Sequence, residues 1–259
     1  MRLRSVFALA AAFVVCVVTT PLAAAQDLLI PMDDQQENHL KAYGAVYAAL
    51  QDGRTVDWLL NHRGGAFLAE ASDAVRQELQ VRGVTFTPVS AGLASKIIAE
   101  VEADGSNKSV VPLEKAPEIA VYAPDGAVPW DDAVRLALEY AEVPHDVIYD
   151  EEVLNGDLAS YDWLHLHHED FTGQFGKFIR YRNEPWYIQK QNRAEAAAEE
   201  FGFRKVSQLK LAVAERLKQY VAQGGFLFSV CSGTETFDIA LAAHQTDIVP
   251  EEYDGDPVD

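Results

Sequence analysis

The chain has 259 residues, which is enough for one large α/β domain or two small ones. Its formal net charge is -19, and an acidic surface of this size repels phosphate backbones, which argues against nucleic acid as a partner. A small amide, a peptide or a glycan is the expected ligand of this protein, either as an enzyme or as a binding module.

The first 25 residues have the organisation of a secretory signal peptide. Arg2 and Arg4 precede an apolar run from Ser5 to Leu22, and three alanines end the segment. Cleavage there predicts an exported protein, periplasmic or extracellular, with no stable membrane span after the signal is removed. A retained membrane anchor is the alternative, although the run is short for a span. Export leaves Cys231 as the single cysteine, which excludes an internal disulfide.

Patterns typical of strands and helices alternate through an N-terminal α/β segment, residues 26–115. We predict helices over 38–50, 69–81 and 93–101, strands over 56–60 and 84–89, and a polar connector over 104–115.

The alternation is clearer in residues 116–259, which we treat as a second domain with a polar, aromatic insertion over 169–203. Strands are predicted over 118–123, 146–149, 163–167 and 226–230, and helices over 131–142, 206–222 and 234–243. Strands that alternate with helices predict a doubly wound, mostly parallel sheet.

In such sheets, ligands bind beyond the carboxyl ends of the strands. Several unusual residues follow predicted strands and would meet on that rim: His167, His168, Glu169, Cys231, Asp125 and the turn Asn61–Gly65. The turn precedes the helix predicted over 69–81. Its backbone N–H groups, with Asn61, Arg63, Gly64 and Gly65, would cradle an anion, or the turn would be an ordinary connection.

The most specific motif is GGFLFSVCSGTETFDIALA, residues 224–242, in which a buried-type strand leads through Cys231 directly into a helix. This strand–nucleophile–helix order is typical of a nucleophile elbow. The N-terminus of a helix favours a thiolate at such a position. The backbone N–H groups of Ser232 and Gly233 would donate to an oxyanion. A small, inert cysteine at the same place is the alternative.

The stretch DWLHLHHEDF places three histidines and a glutamate at the end of a strand. His165 and His167 lie on one strand face, which with Glu169 is a pattern that zinc sites use. Strand-end histidines held by neighbouring acids, or a histidine paired with Cys231, explain the stretch without a cofactor. We expect no cofactor, and zinc stays the minor alternative.

The insertion carries an aromatic and basic group made of Arg180, Tyr181, Arg182, Trp186 and Tyr187. Tyrosine and tryptophan suit contacts with sugars and peptides. The group is either a glycan- or peptide-binding surface or an aromatic flap over the rim.

The Cys231 motif after a β-α-β-β pattern resembles the class I glutamine amidotransferase-like superfamily, with its flavodoxin-like fold, over about residues 118–243. The phrases HLKAYG, VDWLLNHRGG, DWLHLHHEDFTGQ and CSGTETFDIALA are similar to an exported bacterial family often labelled asparagine synthetase B. The resemblance implies thiol-dependent hydrolysis of an amide. It does not imply ATP-dependent asparagine synthesis, because the chain has no S-G-G-x-D-S loop.

Superfamily members complete a triad with a His-x-Glu pair after the nucleophile, and here the only later histidine is His244. Three interpretations follow. His168 or His167 is the base and Glu169 orients it; or the protein is a non-catalytic envelope binding or assembly module; or it is a zinc hydrolase built on His165, His167 and Glu169. The acidic ending DIVPEEYDGDPVD has no closing strand, and a domain truncated at its C terminus is one interpretation of it.

Overall fold

We describe the fold from a computed structural model, which covers residues 26–103, 107–124, 126–127, 131–174 and 176–259. The predicted signal peptide and Asp125 lie outside the described residues. The protein is a mixed α/β protein with two sheets, one antiparallel and one parallel.

The first half of the chain forms a five-stranded antiparallel sheet in the order β4-β1-β3-β2-β5. Its strands are β1 (Gln26–Ile30), β2 (Val56–Leu60), β3 (Ala66–Glu70), β4 (Thr87–Ser90) and β5 (Ser109–Leu113). Helices α1 (His39–Gln51) and α2 (Asp73–Val81) cover one face, and α3 (Ala91–Ala103) covers the other.

The structure of the first half differs from the prediction in three respects. Its strands are antiparallel, so the mostly parallel sheet does not extend through it. Residues 66–70 form a strand that was not predicted and that replaces the start of the helix expected over 69–81, because their apolar side chains are buried on both sides of the sheet. The expected polar connector contains β5, whose Val110 and Val111 pair with β2 at the edge of the sheet.

The second half forms a four-stranded parallel sheet in the order β7-β6-β8-β9. Its strands are β6 (Ile119–Tyr122), β7 (Asp146–Ile148), β8 (Trp163–Leu166) and β9 (Phe226–Ser229). The helices of this half are α4 (Ala133–Ala141), α5 (Asp150–Asn155), α6 (Pro185–Glu200), α7 (Val206–Ala222), α8 (Cys231–Ala242) and α9 (Glu251–Asp254).

Both faces of the parallel sheet pack against helices. Leu164 and Leu166 of β8 face the apolar cluster that includes residues of α5, α7 and α8. Ile119 and Val121 of β6 face α4, and Tyr47 of α1 joins that cluster. Helix α6 packs on the outside of α7. No helix in the described part of the chain is both long enough and apolar enough to cross a membrane.

Helix α1 also joins the two halves by packing against α4. The contact is closest at Gly44, where an added Cβ atom would overlap the carbonyl oxygen of Ala141. Arg82, which directly follows α2, donates to the same carbonyl at 2.7 Å and forms an ion pair with Glu142. Glycine at position 44 is therefore required by the approach of two helix backbones.

We expect Gly44→Ala to lower the free energy of unfolding by about 1–3 kcal/mol, because two backbones must move apart. Gly92→Ala is the matched control, since Gly92 lies in α3 and a Cβ atom there has open space. The control should be neutral or gain up to about 1 kcal/mol from helix propensity. Urea unfolding of the two variants checks the difference, and equal midpoints would contradict the assigned contact.

Candidate functional site

The candidate site lies where β9 passes into α8, in residues Val230–Gly233, which we call the elbow. Cys231 has a left-handed backbone with φ of 55° and is exposed to solvent. A non-glycine residue in this region costs energy and is held there by its surroundings. The strand before it and the helix after it fix the backbone on both sides, so the thiol is presented at the carboxyl edge of the parallel sheet.

The elbow is hydrogen-bonded to the end of the neighbouring strand. Val230 N–H donates to Leu166 at 3.0 Å, and Gly233 N–H donates to the carbonyl of His167 at 2.7 Å. An added Cβ atom at Gly233 would overlap that carbonyl oxygen. We call residues His167–Asp170 the histidine loop. The structure therefore places the elbow and the histidine loop side by side.

Thr236 of α8 strengthens this contact. Its hydroxyl lies 2.9 Å from the carbonyl of Glu169 and 2.7 Å from the carbonyl of Ser232, and it accepts from Phe171 N–H at 3.2 Å. One side chain thus links the first turn of α8 to Glu169 and Phe171, which follow β8.

The backbone N–H of Gly233 does not have the role that was predicted for it. Its N–H was expected to donate to an oxyanion, but it already donates to His167 inside the fold. Ser232 keeps the expected position in the first turn of the helix, where backbone N–H groups have no partner within the helix. Its hydroxyl is buried without a hydrogen-bond partner in the part of the chain that the structure describes.

Two aspartates hold two of the three histidines. The Nε2 atom of His168 lies 3.1 Å from Asp131, at an accessible position, and this leaves Nδ1 for proton exchange. The fully buried His165 is bound on both nitrogens, by the Phe228 carbonyl at 3.1 Å and by Asp132 at 2.9 Å. Asp132 also accepts from the first N–H groups of α4, so it caps that helix.

Asp131 and Asp132 are the first two residues of the helix predicted over 131–142, and the sequence did not assign them to the site. The predicted orienting acid, Glu169, makes no hydrogen bond to an imidazole among the described residues. Its carboxylate is buried and accepts from the Tyr149 hydroxyl at 3.4 Å. The acid that orients His168 is Asp131, and the prediction for Glu169 is corrected in this respect.

His167 lies between the other two imidazoles, with ring centroids 6.2 Å from His165 and 4.2 Å from His168. Its Nδ1 atom is buried, with no hydrogen-bond partner among the described residues. Burial and the neighbouring His168 lower the pKa of His167, which favours the neutral ring. A neutral imidazole beside the elbow is able to accept a proton or bind a polar ligand.

The zinc alternative does not fit this arrangement. Among the described residues, only Asp247, Asp254 and Asp256 bring three potential ligand atoms within 4.8 Å of one another. Both nitrogens of His165 are engaged, and Glu169 faces Tyr149. The acidic group near the C terminus already surrounds the ammonium of Lys205, which lies 2.6, 3.1 and 2.5 Å from its carboxylates.

The turn Asn61–Gly65 belongs to the five-stranded antiparallel sheet and not to the parallel sheet that carries the elbow. It joins two strands of the antiparallel sheet as a hairpin, so no helix N-terminus follows it. The guanidinium of Arg63 donates to Asp33 and Gln35, and the amide of Asn61 donates to the Asn107 carbonyl. Gly64 has φ of 76°, and a Cβ atom there would overlap the backbone of Met32. Backbone conformation and packing therefore explain why this residue is glycine. The anion cradle predicted from Asn61, Arg63, Gly64 and Gly65 is therefore wrong.

A polar cluster that the sequence did not predict lies at the carboxyl edge of the parallel sheet. The ammonium of Lys210 in α7 is bound by both oxygens of Asp150 at 2.8 Å and by the hydroxyls of Tyr122 and Tyr149 at 3.0 Å. Tyr122 also donates to Asp150. We call these four residues the lysine cluster. Its link to the histidine loop is the hydrogen bond from Tyr149 to Glu169.

Within the lysine cluster, the charge of the Lys210 ammonium is paired with the Asp150 carboxylate. Burial alone would lower the pKa of Lys210, but the Asp150 carboxylate more than offsets this, so its pKa is raised. Burial raises the pKa of Tyr122 and of Tyr149. The raised pKa values keep the Lys210 ammonium and both phenols protonated throughout the physiological pH range.

The elbow, the histidine loop and the two aspartates bring an exposed thiol, three imidazoles and two carboxylates to one edge of the parallel sheet. Comparison of the chain with protein-family models, with curated proteins and with solved structures found no match in any of the three.

Proposed function

We propose that this chain is an exported thiol-dependent hydrolase of a small amide or peptide bond, with Cys231 as its nucleophile. The observation that carries the proposal is the exposed, left-handed Cys231 at the end of a parallel strand, directly beside the histidine loop. A nucleophile elbow needs these features. The fold that we propose for residues 116–259 is flavodoxin-like, of the class I glutamine amidotransferase-like type. The strand order β7-β6-β8-β9 and the position of Cys231 after β9 support it.

In this proposal His168 takes the thiol proton, and Asp131 orients the ring through Nε2. The sulfur attacks the amide carbon and forms a C–S bond, while the backbone N–H of Ser232 donates to the oxyanion. The C–N bond then breaks, and the amine leaves with the proton held by His168. Water hydrolyses the thioester, which releases the carboxylic acid and restores the thiol. His167 would bind a polar group of the substrate through its unpartnered Nδ1.

One observation favours a second function, a non-catalytic binding module. In the described part of the chain, no hydrogen bond joins the Cys231 sulfur to an imidazole. The buried Nδ1 of His167 and the buried hydroxyl of Ser232 would then recognise a ligand without chemistry. Nucleophile–base hydrogen bonds are often long before substrate binds, so the geometry is compatible with both functions.

The test is the alkylation rate of Cys231, which is the only cysteine in a protein that begins at Gln26. We expect iodoacetamide at pH 7 to label it about tenfold faster than a free thiol such as glutathione. His168→Asn should remove most of this advantage, because the proton acceptor is lost, and Asp131→Asn should remove part of it. His244→Asn, at an exposed position two residues past the end of α8, is the matched histidine control and should have no effect.

Labelling no faster than that of glutathione would contradict the hydrolase and favour the binding module. A fast rate that His168→Asn leaves unchanged would contradict the assigned base. A panel of amide and peptide substrates then tests turnover, which Cys231→Ser should abolish.

A further inference from the structure

The chain concentrates positive charge in one short segment. Five of its 21 lysines and arginines fall within residues 177–193, where Glu184 is the only acid. The remainder of the chain is correspondingly more acidic than the net charge of -19 suggests. We call residues 178–193 the basic segment. It comprises most of the 3-10 turn Gly176–Tyr181 and the first half of α6.

The cations of the basic segment are exposed. Helix α6 packs on α7 through the apolar cluster that includes Ala198, and most side chains of the basic segment are exposed. Four of those side chains have no ion pair within the described residues, namely Arg180, Arg182, Lys190 and Arg193. In contrast, Arg82, Lys205 and Lys210 are each paired with a carboxylate. In so acidic a protein, four neighbouring unpaired cations are positioned for an external anion.

Aromatic rings lie between these cations. Trp186 is 45% exposed and contacts three rings, Phe178, Tyr181 and Tyr187, at centroid distances of 5.8, 5.4 and 5.8 Å. Three ring contacts hold its indole in one orientation while part of its surface stays open. Trp186, Lys190 and Arg193 recur at helical spacing and share one face of α6. The surface therefore offers a fixed, flat apolar face with cations beside it.

We propose that the basic segment binds an acidic glycan, a chain of sugar rings that carry carboxylates. A sugar ring would stack on the exposed face of Trp186, and carboxylates would pair with Arg180, Arg182 or Lys190. Charge complementarity favours a narrow chain over an anionic membrane. A flat anionic membrane would lie within a Debye length, roughly 8–10 Å, of the acidic remainder of the protein. The two negative charges would then repel each other. A linear chain contacts the basic segment alone.

The experiment is calorimetric titration of the protein from Gln26 with polygalacturonate oligosaccharides at low salt. We expect Arg180→Gln with Arg182→Gln to weaken binding by about tenfold, since two charged contacts are lost at an exposed site. Trp186→Ala should weaken binding about fivefold through lost stacking. The matched control is Arg216→Gln with Lys218→Gln, which removes the same charge from exposed positions of α7 and should change affinity less than about twofold.

Several results would overturn the proposal. Equal losses in the two double variants would mean that net charge, and not this surface, determines binding. Polyglutamate binding as tightly as the glycan, with no effect of Trp186→Ala, would identify an acidic peptide site. Binding to phosphatidylglycerol vesicles but not to polygalacturonate would identify a membrane contact, and no binding to any probe would reject the surface. Cys231→Ser should retain full glycan affinity, so this test does not depend on the hydrolase.

Discussion

Lys210→Ala is expected to lower the free energy of unfolding by about 3–5 kcal/mol. The ammonium is buried and bound by Asp150, Tyr122 and Tyr149. Its removal leaves a buried carboxylate without a counter-charge and two phenols without their shared partner. The lysine also lies over the Tyr149 ring, 4.2 Å from its centroid, and that contact is lost as well.

Urea unfolding followed by circular dichroism measures this loss. Lys218→Ala is the matched control, because Lys218 lies on the exposed side of the same helix about two turns further along. That variant should stay within about 0.5 kcal/mol of the unmodified protein. If Lys210→Ala does not fold, Asp150→Asn provides a milder version of the same loss. An unchanged midpoint in both variants would show that the lysine cluster does not stabilise the fold.

The lysine cluster also bears on the histidine loop. Glu169 is turned away from the imidazoles and toward Tyr149, so one residue of the loop is anchored on the α7 side of the sheet. The preceding residues, His167 and His168, remain on the elbow side. Because the backbone between these anchors is short, disturbing Lys210 should also change the position of the histidines. The labelling rate of Cys231 in Lys210→Ala measures this coupling.

Part of this arrangement could be predicted from the sequence. Helix α7 and strand β2 match the predicted bounds, because each has a clear apolar period and each is followed by a turn at Gly224 or Asn61. His165 was placed on one face of β8, and in the structure Leu164 and Leu166 lie on the opposite face. The elbow was found because a strand, a cysteine and a helix are adjacent in the chain.

Other features depend on pairings between distant residues, which one sequence does not encode locally. The antiparallel hairpin at Asn61–Gly65 was interpreted as a strand-to-helix turn, since the apolar run AFLAE fits either a strand or the start of a helix. The pairing of His168 with Asp131 spans 37 residues. Lys210 did give a signal, because it is a charged residue between Leu209 and Val213 on the buried side of α7, and a lysine there requires a buried partner.

Gly233→Ala is the change with the largest expected effect on the candidate site. Its Cβ atom would overlap the backbone carbonyl of His167, so the elbow and the histidine loop must separate. We expect a loss of about 1–3 kcal/mol of stability, together with loss of the fast labelling of Cys231. Alanine has a higher helix propensity than glycine, so a loss would come from the overlap and not from the helix.

The adjacent Ser232→Ala is the matched control. The Ser232 hydroxyl is buried without a hydrogen-bond partner among the described residues, so its removal should leave stability and labelling nearly unchanged. The double variant Gly233→Ala with His167→Ala adds a sharper criterion. The overlap is with a backbone oxygen, so truncating the His167 side chain should not restore labelling. In the Gly233→Ala protein, His168→Asn should then have no further effect, because the base is already displaced. If Gly233→Ala keeps the fast, His168-dependent labelling, the elbow and the histidine loop do not act as one site.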